Sequence, residues 1–210
     1  MGKTLAILGS GHLGEQIAYY AISDKHYDTV VFFDDFTEDT ERNGYPILGK
    51  TEDVVKEFSK GTFDELLIAV GYKHLNKKKE LYDFFVAKVP FGKMIHSSSW
   101  VDSSATIENG CVIYPRCAID ANAVIKANSV LNIGCTIAHD TIISQHCFLS
   151  PRVAMAGFIV VENSCILGIN STIIDNVHIV ANTQIGGGTV VTKSITNTGL
   201  YVGNPHRFIR

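Results

Sequence analysis

From Val101 to Val191 every sixth residue is apolar: Val101, Ile107, Ile113, Ile119, Ile125, Leu131, Ile137, Ile143, Leu149, Met155, Val161, Leu167, Ile173, Ile179, Ile185 and Val191. In a chain that is 46% hydrophobic, such a run arises by chance about four times in a million per register. Six residues turn an α-helix by roughly 600°, which is not a whole number of turns, so the series cannot mark one helix face. It does fit extended chain, where alternate residues share a face. The fifth residue of each hexad is a second inward candidate, and it is mostly small: Ala105, Cys111, Cys117, Ala123, Ser129, Cys135, Thr141, Cys147, Val153, Ile159, Cys165, Ser171, Val177, Thr183, Thr189 and Ile195. One large and one small inward residue per short strand predicts a prism of stacked coils, the kind of repeat that a fixed short period signifies.

The first ninety residues follow a different pattern. Residues 3–9 read as a buried strand and are followed by Gly9-Ser10-Gly11-His12-Leu13-Gly14, then a helix to about Ser23. Residues 29–34 form a second strand, ending in Asp34-Asp35. This is a βαβ unit with G-x-G-x-x-G at its first turn, where glycines let backbone N–H groups approach a phosphate. Asp34 lies twenty residues after Gly14, where a dinucleotide fold places a ribose-binding acid. The same glycines also suit a simple tight turn. Beyond Asp35 the pattern offers a short segment at 44–47, a helix near 52–60, a strand at 66–70 and a helix near 76–87. That is about half a dinucleotide fold, which favours a mononucleotide-sized ligand over NAD. Loops at strand carboxyl ends carry ligands in such sheets. Ser10, Gly11, His12, Asp34, Asp35 and Lys73 are therefore the binding candidates, Lys73 toward a diphosphate. Lys77, Lys78 and Lys79 read as the solvated start of a helix. Pro90 and Gly92 break the chain, dividing it into domains 1–92 and 93–210, and His96 reads as a structural residue at the cap of the repeat.

Composition narrows the class. The 210 residues carry a net charge of −3 with 19% charged side chains, and the mean hydropathy is +0.14. Nothing resembles a nucleic-acid footprint, a bilayer-spanning run or a signal peptide, so the expectation is a soluble cytoplasmic protein. Cys111, Cys117, Cys135, Cys147 and Cys165 all occupy the fifth hexad position. That phase points them inward as small apolar residues and suits a reducing compartment. It argues against a cysteine nucleophile, disulfides or a metal site.

The hexads resemble the left-handed β-helix of the hexapeptide-repeat acyltransferases; the handedness and three hexads per coil come from that resemblance. Joined to the short N-terminal domain with its Ser10-Gly11-His12 and Asp34-Asp35 turns, the chain resembles the nucleotide-sugar N-acetyltransferases that act on UDP-4-amino sugars, GDP-perosamine and dTDP-4-amino-4,6-dideoxyglucose. It is also similar to the sialic acid O-acetyltransferase branch. The resemblance implies an α/β N-terminal Rossmann-like domain followed by a left-handed parallel β-helix. It further implies acetyl-CoA as co-substrate, no metal, a homotrimer, and a place in bacterial surface-polysaccharide or glycan biosynthesis.

His139 is the candidate general base. It holds the third hexad position, away from the interior. Gly157 lies eighteen residues later, one coil on, where its N–H can serve as oxyanion donor, so base and donor for acyl transfer coincide. Asp140 is the candidate orienting carboxylate, though a neighbour in sequence reaches a ring with difficulty, and an indirect contact is expected. Asn132 reads equally as a polar corner residue or, through the resemblance, as part of the acceptor site. The resemblance also places Gly168, Ile169, Gly186 and Gly187 along the pantetheine groove, where tight corners are the plainer reading, and Asn204-Pro205 in a closing motif. Relatives often carry a second histidine nine residues after the first; here that cofactor-binding position is Phe148, so the resemblance implies that a contact to the CoA thioester or amide is lost there or replaced by packing. Two other classes stay open: a metal-dependent hydratase using His139, His146 and His178, and a non-catalytic nucleotide-sugar-binding trimer.

Overall fold

The computed structural model describes residues 2–210 and divides after Met94 into two compact units, two residues beyond the expected boundary. In the first, strands β1 (Thr4–Leu8), β2 (Thr29–Phe33) and β5 (Glu65–Ile68) form a parallel sheet in the order β2-β1-β5. Nearly every residue of the three is buried, so the strands read as continuous apolar runs, as strands covered on both faces do. Single parallel bridges, Phe32 to Ile47 and Leu66 to Phe91, extend both edges. A small hairpin, β3 (Glu41–Arg42) and β4 (Tyr45–Pro46), follows β2. The helices are α1 (His12–Ser23), α2 (Val54–Ser59) and α3 (Leu75–Phe85). No helix among the described residues is long and apolar enough to cross a membrane.

The second unit is a parallel β-solenoid whose two-residue rungs pair eighteen residues apart, so three hexads close each coil. One face stacks Val101, Ile119, Ile137, Met155, Ile173 and Val191. The second stacks Ile107, Ile125, Ile143, Val161 and Ile179. The third stacks Ile113, Leu131, Leu149, Leu167 and Ile185. Their side chains form one continuous core along the axis.

The fifth hexad position is inward, as its small residues imply, but it does more than fill space. Each cysteine Sγ there lies 3.2–3.3 Å from a carbonyl oxygen fifteen residues on: Lys126, Asn132, Ser150, Glu162 and Val180. Ser129 and Thr141 donate their hydroxyls in the same register, to Ser144 and Ala156. A thiol or small hydroxyl thus supplies a donor to a corner carbonyl that the rung ladders leave over. Burial pushes the Cys147 thiol well above the usual range, which keeps it inert.

Corners turn at the fourth position, where φ lies near +60°: Asn122, Asn128, Asp140, Asn170, Asn176 and Asn182 all adopt it. Short polar side chains tolerate this left-handed region best. After Val191 the period slips. Ile195 bridges to Ile179 and Tyr201 pairs with Ile185, each sixteen residues on. Ile195 therefore takes the large inward place rather than the small fifth place that the hexad count gave it. Leu200–Val202 then pairs antiparallel with Arg207–Phe208, and Asn204-Pro205 forms the turn between them.

Candidate active site

His139 and Asp140 leave the first face of the solenoid and turn the corner toward the second. Asp140 sits at the left-handed position with φ 55°, and that turn swings its carboxylate back onto its neighbour. Nδ1 of His139 lies 2.9 Å from Oδ2 of Asp140. The expected indirect contact is therefore a direct one, because a residue at positive φ aims its side chain differently from one in extended chain. With Nδ1–H donated to the carboxylate, Nε2 is left with its lone pair. The other carboxylate oxygen, Oδ1, accepts from Nδ2 of Asn122 at 3.2 Å, one coil earlier at the same corner. Sequence reasoning passed over Asn122, although the eighteen-residue spacing that found Gly157 also reaches it from Asp140.

Gly157 is the next coil's residue in register with His139. A Cβ built on it would stand 2.6 Å from Cε1, 2.8 Å from Nε2 and 3.1 Å from Nδ1 of the imidazole. The ring thus lies where any side chain at 157 would begin. Its carbonyl accepts from Asn176, while among the described residues its N–H has no hydrogen-bond partner. Phe158 completes the corner: its ring centroid is 5.1 Å from that of His139, the planes at 85°, and its N–H donates to the His139 carbonyl. The imidazole side chain remains 48% exposed, so the site is open to a substrate.

Asn132 turns a different corner, between the third and first faces, and its Oδ1 accepts from the Ile133 N–H at 2.8 Å. Within one chain the fold does not bring it to His139, and its side chain behaves as a corner residue. Gly168, Ile169, Gly186 and Gly187 stack at that same corner in later coils. A Cβ on Gly168 would fall 2.5 Å from the Gly187 nitrogen, so a close coil-to-coil approach demands glycine there. Ile133 and Ile169 are exposed along this edge. Phe148 is buried on the third face. His146 is also buried, at φ 62°, with Nδ1 2.9 Å from Asn128 Nδ2. His178 lies on the second face against Glu162 at 2.8 Å. The three histidines of the hydratase reading thus occupy three separate places, and no group of metal-ligating residues is found among those described.

In the N-terminal unit a cleft of about 440 Å³ opens at the carboxyl ends of all three main strands, lined by Gly9, Gly11, Asp34, Asp35, Phe36, Thr51, Gly71, His74 and Lys77, with apolar residues beneath. Gly11 caps α1 with no side-chain bond, and a Cβ on it would meet nothing within 4 Å. The helix N-terminus is thus left open, as an anion site requires. Gly14 serves packing, since its Cβ would fall 2.0 Å from the Gly9 carbonyl oxygen. Ser10 donates both its N–H and its hydroxyl to Asp34 at 2.7 Å. Burial alone would raise the Asp34 carboxyl. The bonds from Ser10 and Phe36 and the charge of Arg42 outweigh it and hold the carboxyl below the usual range. Asp35 accepts from the N–H and hydroxyl of Thr51. These clasps set the loops around the cleft. His12 points into solvent beside Glu15. The cleft wall holds Lys77 and His74 rather than Lys73, because the first turn of α3, read as solvated, opens onto the strand ends.

Residues 4–86 match the family model described as the PglD N-terminal domain. The whole chain is similar in structure to the acetyltransferase domain of PglB from Neisseria gonorrhoeae in complex with acetyl coenzyme A, with TM-score 0.91, 24% identity and 100% of each chain covered. It is similar to PerB from Caulobacter crescentus, solved with CoA and GDP-perosamine, with TM-score 0.86, 24% identity, and 99% of this chain and 97% of that one covered. WeeI from Acinetobacter baumannii AYE gives TM-score 0.84 at 21% identity, covering 99% of this chain and 100% of that one. The fold is the one these proteins share, an α/β N-terminal domain followed by a parallel β-solenoid.

Proposed function

We propose that the protein is an acetyl-CoA-dependent N-acetyltransferase acting on the amino group of a nucleotide-linked amino sugar. The observation that carries this reading is the His139 imidazole: its Nδ1 is bound to Asp140, its Nε2 has no hydrogen-bond partner among the described residues, and it lies over Gly157 at an exposed corner. The fold it sits in is one whose structures hold acetyl coenzyme A, or CoA with GDP-perosamine. The nucleotide part suits the N-terminal cleft, where the α1 N-terminus and Lys77 offer positive potential to a diphosphate.

The chemistry is a direct transfer. The sugar amine attacks the thioester carbonyl carbon as its proton passes to Nε2 of His139. Asp140 holds the tautomer and stabilises the imidazolium. The unengaged N–H of Gly157 donates to the tetrahedral oxyanion. Collapse breaks the carbon–sulfur bond, the imidazolium returns its proton to the thiolate, and the products are the acetamide and CoA thiol. The buried cysteines supply no acyl-enzyme nucleophile. We place the enzyme in the cytoplasm, as a homotrimer, serving surface glycan biosynthesis.

Thiol release from acetyl-CoA, measured against a panel of UDP-, GDP- and dTDP-linked 4-amino-4,6-dideoxy sugars, tests the reading. Turnover with one of them, lost in His139→Ala, is expected. Turnover with free sialic acid alone moves the protein to the O-acetyl branch. No turnover with any acceptor, with nucleotide sugar still bound, makes it a binding module.

A further inference from the structure

Fourteen corner residues from Gly110 to Gly188 occupy the fourth hexad position with positive φ, and nine of them are Gly, Asn or Asp. Phe158 is the one aromatic carbocycle among them, at φ 57°. A bulky side chain in the left-handed region is strained, and strain of this kind concentrates at functional sites. Packing does not explain it, because Phe158 is 55% exposed. Among the described residues its one ring contact is with His139, nearly perpendicular at 5.1 Å. Gly157 next to it has surrendered its side chain to the same imidazole.

We propose that Phe158 is a positioning residue for the His139 imidazole in the transfer reaction, an inference that rests on His139 acting as the base. The ring has three fixed sides: the Gly157 backbone beneath it, Asp140 at Nδ1 and Phe158 across its edge. Without Phe158 only the Asp140 bond and the Gly157 backbone oppose rotation about the Cβ–Cγ bond; a half-turn would put Cδ2 where Nδ1 meets Asp140, break the bond that fixes the tautomer, and carry Nε2 to the place of Cε1, away from the acceptor. An edge-to-face ring supplies that restraint without hydrogen-bonding either nitrogen.

The test is Phe158→Asn, which installs the residue this turn prefers. Its thermal midpoint should stay level or rise. Its kcat should fall about tenfold with KM for acetyl-CoA within about twofold, the pattern of a misoriented base. Imidazole ¹⁵N NMR of His139 should show one Nδ1–H tautomer in the native protein and an averaged pair in the variant. Phe158→Tyr, which keeps the ring, should recover most of the lost rate. Unchanged kcat and tautomer in Phe158→Asn would overturn the proposal, as would parallel loss of stability and rate. Full activity in His139→Ala would instead overturn the assignment of the base, and the NMR readout would still report whether Phe158 holds the ring.

Discussion

Two corners of the solenoid each carry a histidine, seven residues apart, and they do opposite things. His139 stands at the third hexad position, half exposed, its Nδ1 on a carboxylate that turns back from positive φ. His146 stands at the fourth position of the next hexad, takes the positive φ itself, and is buried against Asn128. The repeat makes their backbones equivalent to within one position. That one position decides whether an imidazole projects from the prism or folds against it, and so whether it is available for proton transfer. The hydratase reading loses its cluster on the same ground: within one chain His139, His146 and His178 are dispersed by phase.

The sharpest way to break this contrast is to remove each ring in turn. His139→Ala should cut kcat about a thousandfold, within the range for loss of a general base, and leave the thermal midpoint nearly unchanged. His146→Ala should do the reverse, costing about 2 kcal/mol of stability through the buried Asn128 bond with kcat retained. Acetyl transfer and thermal unfolding on both variants check the pair. Equal effects on both readouts would mean the two corners are not functionally distinct.

Gly157→Ala comes next in size. Gly157 is not at positive φ, and alanine holds the equivalent third position at Ala121, Ala127 and Ala181. The backbone therefore accepts the substitution, and its one collision is with the imidazole. The side chain should move rather than the coil, with kcat falling about a hundredfold and little loss of stability. Asp140→Asn should follow, lowering kcat about tenfold as the tautomer and imidazolium lose their carboxylate, with stability held because asparagine suits the turn.

Much of this is legible in the chain itself. The six-residue period gives the solenoid because every coil repeats the same steric demand, so one inward aliphatic per hexad is written sixteen times over. The Gly157 pairing follows from the same arithmetic. What the period hides is anything that depends on where a side chain turns at a corner. Asp140 is legible as the orienting carboxylate, but only through an indirect contact, because sequence order says nothing of its left-handed φ. Phe158 escaped notice because an aromatic is unremarkable until its backbone angle is known. The N-terminal cleft is less legible. Its strands declare themselves by apolar runs, but Lys77 lies on a helix whose polar face looked like any solvated face, and Ser10 and Asp34 satisfy each other across 24 residues, a pairing no local pattern encodes.

The smallest expected effect separates the two corners most cleanly. Asn122 and Asn128 are six residues apart at the same hexad position, with φ 59° and 58°. Replacing either with alanine carries the same cost at the turn, about 1 kcal/mol, so that term cancels between them. The remainder is the bond each side chain makes. Asn122 donates to the partly exposed Asp140, so Asn122→Ala should lower kcat two- to fivefold, less than a buried bond to a charged group is worth because solvent screens this one, and add little to the turn cost. Asn128 binds the buried His146, so Asn128→Ala should unfold more readily than Asn122→Ala by about 1–3 kcal/mol with kcat intact. Denaturant midpoints and initial rates on the two variants read both numbers. If Asn128→Ala lost rate and Asn122→Ala lost only stability, the assignment of one corner to chemistry and the other to architecture would be inverted.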